Sequence, residues 1–137
     1  MFKNTGQVIF GGFGSTAQHS YFQLLHQGTA SACADIFTIE SNISTNKLLY
    51  AQSQAQAGLL ANGPREDLEL FEQVNGNIPV NLFTLKELNP KNLGFLIATW
   101  EHRTYVTAKM LQINPFDQFG VSAGKIFAKK YLDKNGG

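Results

Sequence analysis

Short apolar runs alternate along the chain with longer stretches in which apolar residues recur at helical spacing. The runs Ala34–Ile39 and Val80–Leu85 predict β-strands, because each is rich in β-branched and aromatic residues and is bounded by turn residues. A third run, Gln7–Phe10, ends at a Gly-Gly pair and predicts another strand. Spacings of three and four predict helices elsewhere. Those helices are expected over residues 18–26, 45–61, 65–73, 91–111 and 118–132.

Polar, Gly and Pro positions mark the ends of these elements. Ser15 or Thr16 is expected to cap the first helix, and Gly28 is expected to end it. Asn62-Gly63-Pro64 is expected to end the helix over residues 45–61. Pro90 is expected to open the long helix that follows the strand Val80–Leu85. Residues 133–137 are expected to form a frayed tail.

The alternation of strands and helices predicts an α/β fold, a three-layer sandwich in which helices cover both faces of a parallel sheet. Three strands are few for such a sheet. The helix over residues 91–111 is also apolar on several sides, as is typical of a helix that is buried or lies at an interface. We therefore expect the chain to be part of a larger sheet whose other strands lie elsewhere.

Composition also indicates that part of the apolar surface of the chain is covered by a partner or by another part of the protein. Hydrophobic residues make up 43% of the chain and charged residues only 15%, with 11 Phe among 137 residues. The net charge of +1 gives no basic field for nucleic acid. The single Cys33 excludes an internal disulfide and a cysteine metal cluster, and a buried thiol suits a reducing cytoplasm. The sequence shows no membrane-spanning run and no signal peptide.

Two Gly-rich turns, residues 11–19 and 116–125, each open into a predicted helix. The first brings His19 to a helix start, and the second brings Gln118 and Lys125. Helix N-termini attract anions, because their unpaired N–H groups and the helix dipole act together. The pattern indicates a site for a polar, anionic small molecule.

Other interpretations of the same residues remain open at this point. Residues 12–17 match the dinucleotide pattern G-x-G-x-x-A, with Glu40 as a candidate ribose-binding acid, although a tight strand-to-helix turn explains the same glycines. His19 on its own is also compatible with a surface or capping role. Glu101-His102 has no further ligand at metal spacing, so no metal site is predicted.

The two segments together resemble the glucose-6-phosphate isomerase (phosphoglucose isomerase) family. Residues 14–29, G-S-T-A-Q-H-S-Y-F-Q-L-L-H-Q-G-T, resemble the family's G-T-N-G-Q-H-x-x-x-Q-L-x-H-Q-G-T stretch. Residues 113–125, I-N-P-F-D-Q-F-G-V-S-A-G-K, are similar to its carboxy-terminal signature. Glu101-His102 and the turn N-G-N-I-P at residues 75–79 resemble the family's E-H and E-G-N-R-P. The resemblance spans nearly the whole chain in the right order.

The resemblance implies that residues 1–137 are the carboxy-terminal portion of the second sugar-isomerase (SIS) domain of such an enzyme, in an incomplete form. It implies interconversion of glucose 6-phosphate and fructose 6-phosphate through ring opening and a cis-enediol, in glycolysis and gluconeogenesis. His19 would transfer a proton during ring opening, Lys125 would act at the ring oxygen, and Gln118 would hold the sugar or phosphate. The family needs no metal or other cofactor, works in the cytoplasm and forms a homodimer.

The chain also departs from the family's pattern. Phe10 replaces a tryptophan, Gly12 replaces a glutamate, and Ser122 replaces another glutamate. We expect these changes to affect packing more than chemistry. The family's phosphate-binding Ser/Thr residues, an arginine and the glutamate base are expected upstream of Phe2. This piece alone is thus expected to be inactive, and a non-catalytic sugar-phosphate-binding or regulatory module is the alternative function.

Overall fold

The computed structural model describes residues 7–64 and 68–135. The chain divides into two compact units, of which one is formed by Gln7–Gly94 and the other contains Phe95 and the residues after it. Each unit is described by itself.

The Gln7–Gly94 unit is built on a parallel pair of strands joined by a helix. Strand β1 (Ala34–Ile39) pairs with β2 (Val80–Leu85) in a register that runs from Ala34 opposite Val80 to Ile39 opposite Leu85. Parallel neighbours need a crossover connection, and the helix Lys47–Asn62 provides it and packs on both strands. A single 3-10 turn, Glu40–Asn42, follows β1. The α/β class, the parallel pairing and the bounds of both strands are confirmed.

Two short helices precede β1. Helix α1 (Gly14–Ser20) and helix α2 (Phe22–Gln27) are separated at Tyr21, whose φ of −139° and ψ of −2° lie outside the helical region. The crossover helix is α3 (Lys47–Asn62), and Leu60 on α3 is fully buried. The core of this unit therefore lies between α3 and the two strands.

The return from α3 to β2 depends on two glycines with left-handed backbone. Gly63 has a φ of +71° and Gly76 a φ of +61°. The backbone N–H groups of Asn77 and Ile78 then donate to the carbonyls of Ala61 and Leu60, at 2.9 and 3.0 Å. These bonds satisfy carbonyls at the C-terminal end of α3, which have no partner within the helix. The 75–78 turn is thus bonded to the end of α3.

Several sequence predictions for this unit are wrong. Residues 7–10 are coil and not a strand. The first helix begins four residues earlier than predicted, at Gly14, and Phe13 occupies the N-cap position without a side-chain hydrogen bond, so neither Ser15 nor Thr16 caps it. Of the helix predicted over 65–73, residues 68–73 form only turns and coil, and 65–67 lie outside the described residues.

Two further helices follow β2. Helix α4 (Pro90–Met110) begins at the predicted proline, and helix α5 (Phe119–Asn135) ends later than predicted, so the expected frayed tail is helical through Asn135. No side chain on α5 is buried, and its apolar residues Val121, Ile126 and Phe127 are each more than half exposed. A helix with this much uncovered apolar surface requires a partner surface.

Two further predictions concern the Cys33 thiol and membrane-spanning segments. Cys33 is exposed, so the expectation of a buried thiol is wrong. Over the described residues, none of the helices combines the length and the hydropathy needed to span a bilayer.

Candidate functional site

The first Gly-rich segment places His19 in the last turn of α1, and not at a helix start as predicted, because α1 already begins at Gly14. His19 is exposed, and its ring makes no hydrogen bond with any described residue. The ring is therefore accessible to a bound molecule.

Tyr21 packs against the coil that precedes α1. Its ring packs edge-on against Phe10, with 4.9 Å between ring centroids, and stacks on Phe22 at 5.6 Å. A Cβ atom added at Gly12 would lie 3.5 Å from the Tyr21 hydroxyl oxygen, so the glycine turn runs close to this ring. The aromatic residues fix the coil before α1 without the help of a strand.

The C-terminal end of α2 is bonded to two other parts of the same unit. Nε2 of His26 lies 2.8 Å from Oε1 of Gln56 on α3. The backbone carbonyl of His26 accepts from the N–H of Asn75 at 2.8 Å, and Nδ2 of Asn75 donates to the carbonyl of Gly28 at 2.8 Å. Nε2 of Gln27 donates to the carbonyls of Phe71 and Gln73 at 3.1 and 2.8 Å.

Oε1 of Gln56 can only accept, so the His26 ring donates to it from Nε2, and the other ring nitrogen is Nδ1. This Nδ1 atom is buried and has no partner among the described residues. His26 therefore serves a structural contact between α2 and α3, in keeping with the sequence analysis, which gave it no catalytic role.

The second Gly-rich segment places Gln118 and Lys125 on one helix start. Gln118 immediately precedes α5, and its carbonyl accepts from the N–H of Ser122 at 3.0 Å. Lys125 lies in the second turn of α5, and both side chains are exposed. Oδ1 of Asn114 accepts from the N–H of Phe116 at 3.1 Å and shapes the turn before the helix. His19 belongs to the other compact unit.

The structure decides the dinucleotide interpretation. The dinucleotide pattern requires a strand before its glycines, and residues 7–10 are coil, so that interpretation loses its structural context. Across residues 7–64 and 68–135, no three His, Cys, Asp or Glu side chains are grouped so as to hold a metal ion. His102 instead uses Nδ1 locally, 2.7 Å from the carbonyl of Ala98 on its own helix.

Sequence reasoning missed three side chains that bond the end of α2 to other parts of the unit, namely Gln27, Gln56 and Asn75. The available signal was the turn at residues 75–77, since its Gly and Asn residues favour left-handed backbone. The contacts themselves join residues 30 to 47 positions apart, which periodicity does not detect.

Comparison with known proteins gives consistent matches over nearly the whole chain. The family model described as phosphoglucose isomerase matches residues 1–136. The chain is 38% identical to a glucose-6-phosphate isomerase of Acinetobacter venetianus over 150 residues, covering 93% of this chain, and 40% identical to one of Acinetobacter baumannii over 151 residues, covering 94%. Each match covers 27% of the relative.

A solved structure gives the same result for the fold. The crystal structure of a glucose-6-phosphate isomerase from Chlamydia trachomatis superimposes with a TM-score of 0.76 at 30% identity, covering 88% of this chain and 25% of that one.

This chain spans about a quarter of the length of the relatives it matches. The 150 aligned positions also exceed the 137 residues of this chain, so these relatives carry residues with no counterpart here. The family match nevertheless extends over both Gly-rich segments and the turn between them. The chain belongs to the phosphoglucose isomerase family.

Proposed function

We propose that this chain forms part of an aldose–ketose isomerase that interconverts glucose 6-phosphate and fructose 6-phosphate, in glycolysis and gluconeogenesis. The observation that carries the proposal is the family match over residues 1–136, supported by relatives that are themselves named glucose-6-phosphate isomerase. An enzyme of phosphorylated sugars works in the cytoplasm, and we assign the chain to that compartment.

The proposed chemistry opens the hexose ring and then moves a proton between C2 and C1 through a cis-enediol. In ring opening, the C1 hydroxyl loses its proton as the bond from C1 to the ring oxygen breaks, and the ring oxygen gains a proton. We assign the proton transfer to His19, because its exposed ring is unbonded and imidazole changes protonation near neutral pH. Lys125 stabilises negative charge at the ring oxygen, and Gln118 holds the sugar or phosphate.

The assignments make a direct prediction for the complete enzyme that contains this chain. His19→Ala and Lys125→Ala are each expected to slow turnover of the cyclic substrate by about 10²-fold or more, and to slow an open-chain analogue less. Lys125→Ala is also expected to weaken substrate binding, because it removes a cation. The measurement is kcat and KM on both substrates.

His102→Gln is the matched control, because the His102 ring bonds within its own helix. Equal losses on cyclic and open-chain substrates would show that the chemistry lies on other residues. A larger effect of His102→Gln would lead to the same conclusion.

A chimera tests whether the chain contributes to an isomerase at all. The carboxy-terminal part of the Acinetobacter baumannii relative that matches this chain is replaced by residues 1–137, and turnover of fructose 6-phosphate is measured. Activity supports the proposal. A folded, inactive chimera contradicts the proposal, and binding of a sugar phosphate by the isolated chain would then support the alternative, a non-catalytic sugar-phosphate-binding or regulatory module.

We further propose that the chain associates with the rest of an isomerase and with a second copy of itself. On α5, Val121, Phe127 and Leu132 are 53%, 69% and 68% exposed. Apolar surface of this extent along one helix is typical of a surface that meets a partner.

The isolated chain is therefore expected to self-associate at micromolar concentration. Sedimentation velocity across a concentration series measures this association directly. A single monomeric species at the highest concentration would contradict the expectation.

A further inference from the structure

The C-terminal end of α2 is held by side-chain amides that come from two separate parts of the Gln7–Gly94 unit. Asn75 uses both of its donors there: its backbone N–H bonds the carbonyl of His26, and its Nδ2 bonds the carbonyl of Gly28. Gln27 reaches in the opposite direction, from α2 to the carbonyls of Phe71 and Gln73. We call Gln27, Asn75 and the carbonyls that they bind the amide clamp.

The amide clamp acts where α2 needs donors. The last carbonyls of a helix have no partner within it, and they carry the negative end of its dipole. Asn75 supplies two N–H donors to that end, and the 71–75 segment accepts two more from Gln27. Segment 71–75 and the end of α2 are therefore held together by four hydrogen bonds.

The helix that is clamped is also short. Helix α2 has six residues and no buried side chain, and α1 has seven residues with only Ala17 buried. Helices of this length are marginal without tertiary contacts. The orientation of the α1–α2 pair therefore depends on a small number of contacts, of which the amide clamp and the bond between His26 and Gln56 join it to distant parts of the sequence.

We propose that Asn75 and Gln27 are positioning residues for the His19 segment: the amide clamp fixes α2, and through Tyr21 it fixes α1. Tyr21 links the two helices, since its N–H bonds the carbonyl of Ala17 and its own carbonyl accepts from Leu25. The catalytic relevance of this positioning rests on the proposed function. The existence of the amide clamp does not rest on the proposed function, so an experiment can contradict one of them without contradicting the other.

The chemistry of the clamp requires an amide at position 75. A carboxylate at this position would have no N–H to donate to the carbonyl of Gly28.

Hydrogen–deuterium exchange on the full 137-residue chain tests the proposal with Asn75→Asp, which keeps the side-chain shape and removes the Nδ2 donor. Exchange at the amides of α1, α2 and Gly28 is expected to rise about tenfold, while the amides of β1 and β2 keep their rates. The NMR signal of the His19 ring is expected to shift or broaden, and the His102 ring signal to stay unchanged. Asn135→Asp is the matched control, because its Nδ2 bonds only the carbonyl of Tyr131, four residues away on the same helix.

Gln27→Glu is the second variant, and it removes the two donors from the other side of the clamp. The same local pattern from both variants supports the proposal. Unchanged exchange in α1 and α2, an equal rise in the strands, or unfolding by both variants would each overturn it, since the clamp would then be absent or only a general determinant of stability. If the clamp is confirmed and the chimera is inactive, the clamp stands and the proposed function fails.

Discussion

The isolated 137-residue chain is expected to show no measurable glucose-6-phosphate isomerase activity. An isomerase needs a phosphate-binding loop and a carboxylate base, and the resemblance assigns both to sequence upstream of Phe2. The chain spans 27% of the relatives' length. The side chains that it supplies to the proposed site, His19, Gln118 and Lys125, are all exposed. Electrostatic stabilisation of a transition state requires a preorganised site from which water is excluded.

The measurement is a coupled assay of fructose 6-phosphate conversion with the purified chain at high concentration. The intact Acinetobacter baumannii relative serves as the positive control at the same total protein mass. We expect the signal of the chain to equal that of the buffer blank. Turnover within a few orders of magnitude of the relative would show that the chain, alone or self-associated, carries a complete site.

The two strands show how far sequence reasoning reaches. Both β1 and β2 were predicted with their observed bounds, because each apolar run is flanked by turn residues and each finds its partner within the same unit. The run at residues 7–10 is also apolar, but its Val8 and Ile9 side chains remain almost fully exposed and the run forms no strand. A strand needs a neighbour to satisfy its backbone groups, and composition does not show whether one is present.

Helix α5 shows a second limit. Its periodicity predicted the helix, and the structure confirms the helix, but its apolar side chains meet no core. Periodicity identifies the face that must be covered and gives no information about the element that covers it. For a chain that spans about a quarter of its relatives' length, the sequence does not identify that element.

The residues of the candidate site also differ in whether the sequence could predict them. His19, Gln118 and Lys125 were found because they sit in contiguous motifs that begin or end helices. Gln27 and Asn75 were missed because polar amides in a loop look like ordinary solvent-exposed residues. Their significance lies in hydrogen bonds across 46 and 47 positions of sequence, which only the folded chain brings together.

Gly76→Ala is expected to lower the free energy of unfolding by about 4 kcal/mol, or about a thousandfold in the folding equilibrium. Two effects add. The φ of +61° at this position strains any residue with a Cβ atom. That Cβ would also lie 2.5 Å from the backbone N of Gly63 and 2.8 Å from the carbonyl carbon of Asn62. Both obstacles are backbone atoms, which cannot move aside without breaking the return from α3 to β2.

Substitutions at two other glycines distinguish the backbone strain from the steric clash. Gly63 has a φ of +71°, but its Cβ would meet nothing closer than 3.6 Å, so Gly63→Ala is expected to cost only the backbone strain, about 1–2 kcal/mol. Gly58 lies inside α3 with open space around its Cβ position, and Gly58→Ala is expected to stabilise the chain by about 0.5–1 kcal/mol. Urea unfolding followed by circular dichroism ranks the three variants. If Gly76→Ala lost no more stability than Gly63→Ala, the close approach of residues 63 and 76 would not exist in solution, and the bonds from Asn77 and Ile78 to the end of α3 would have to be assigned differently.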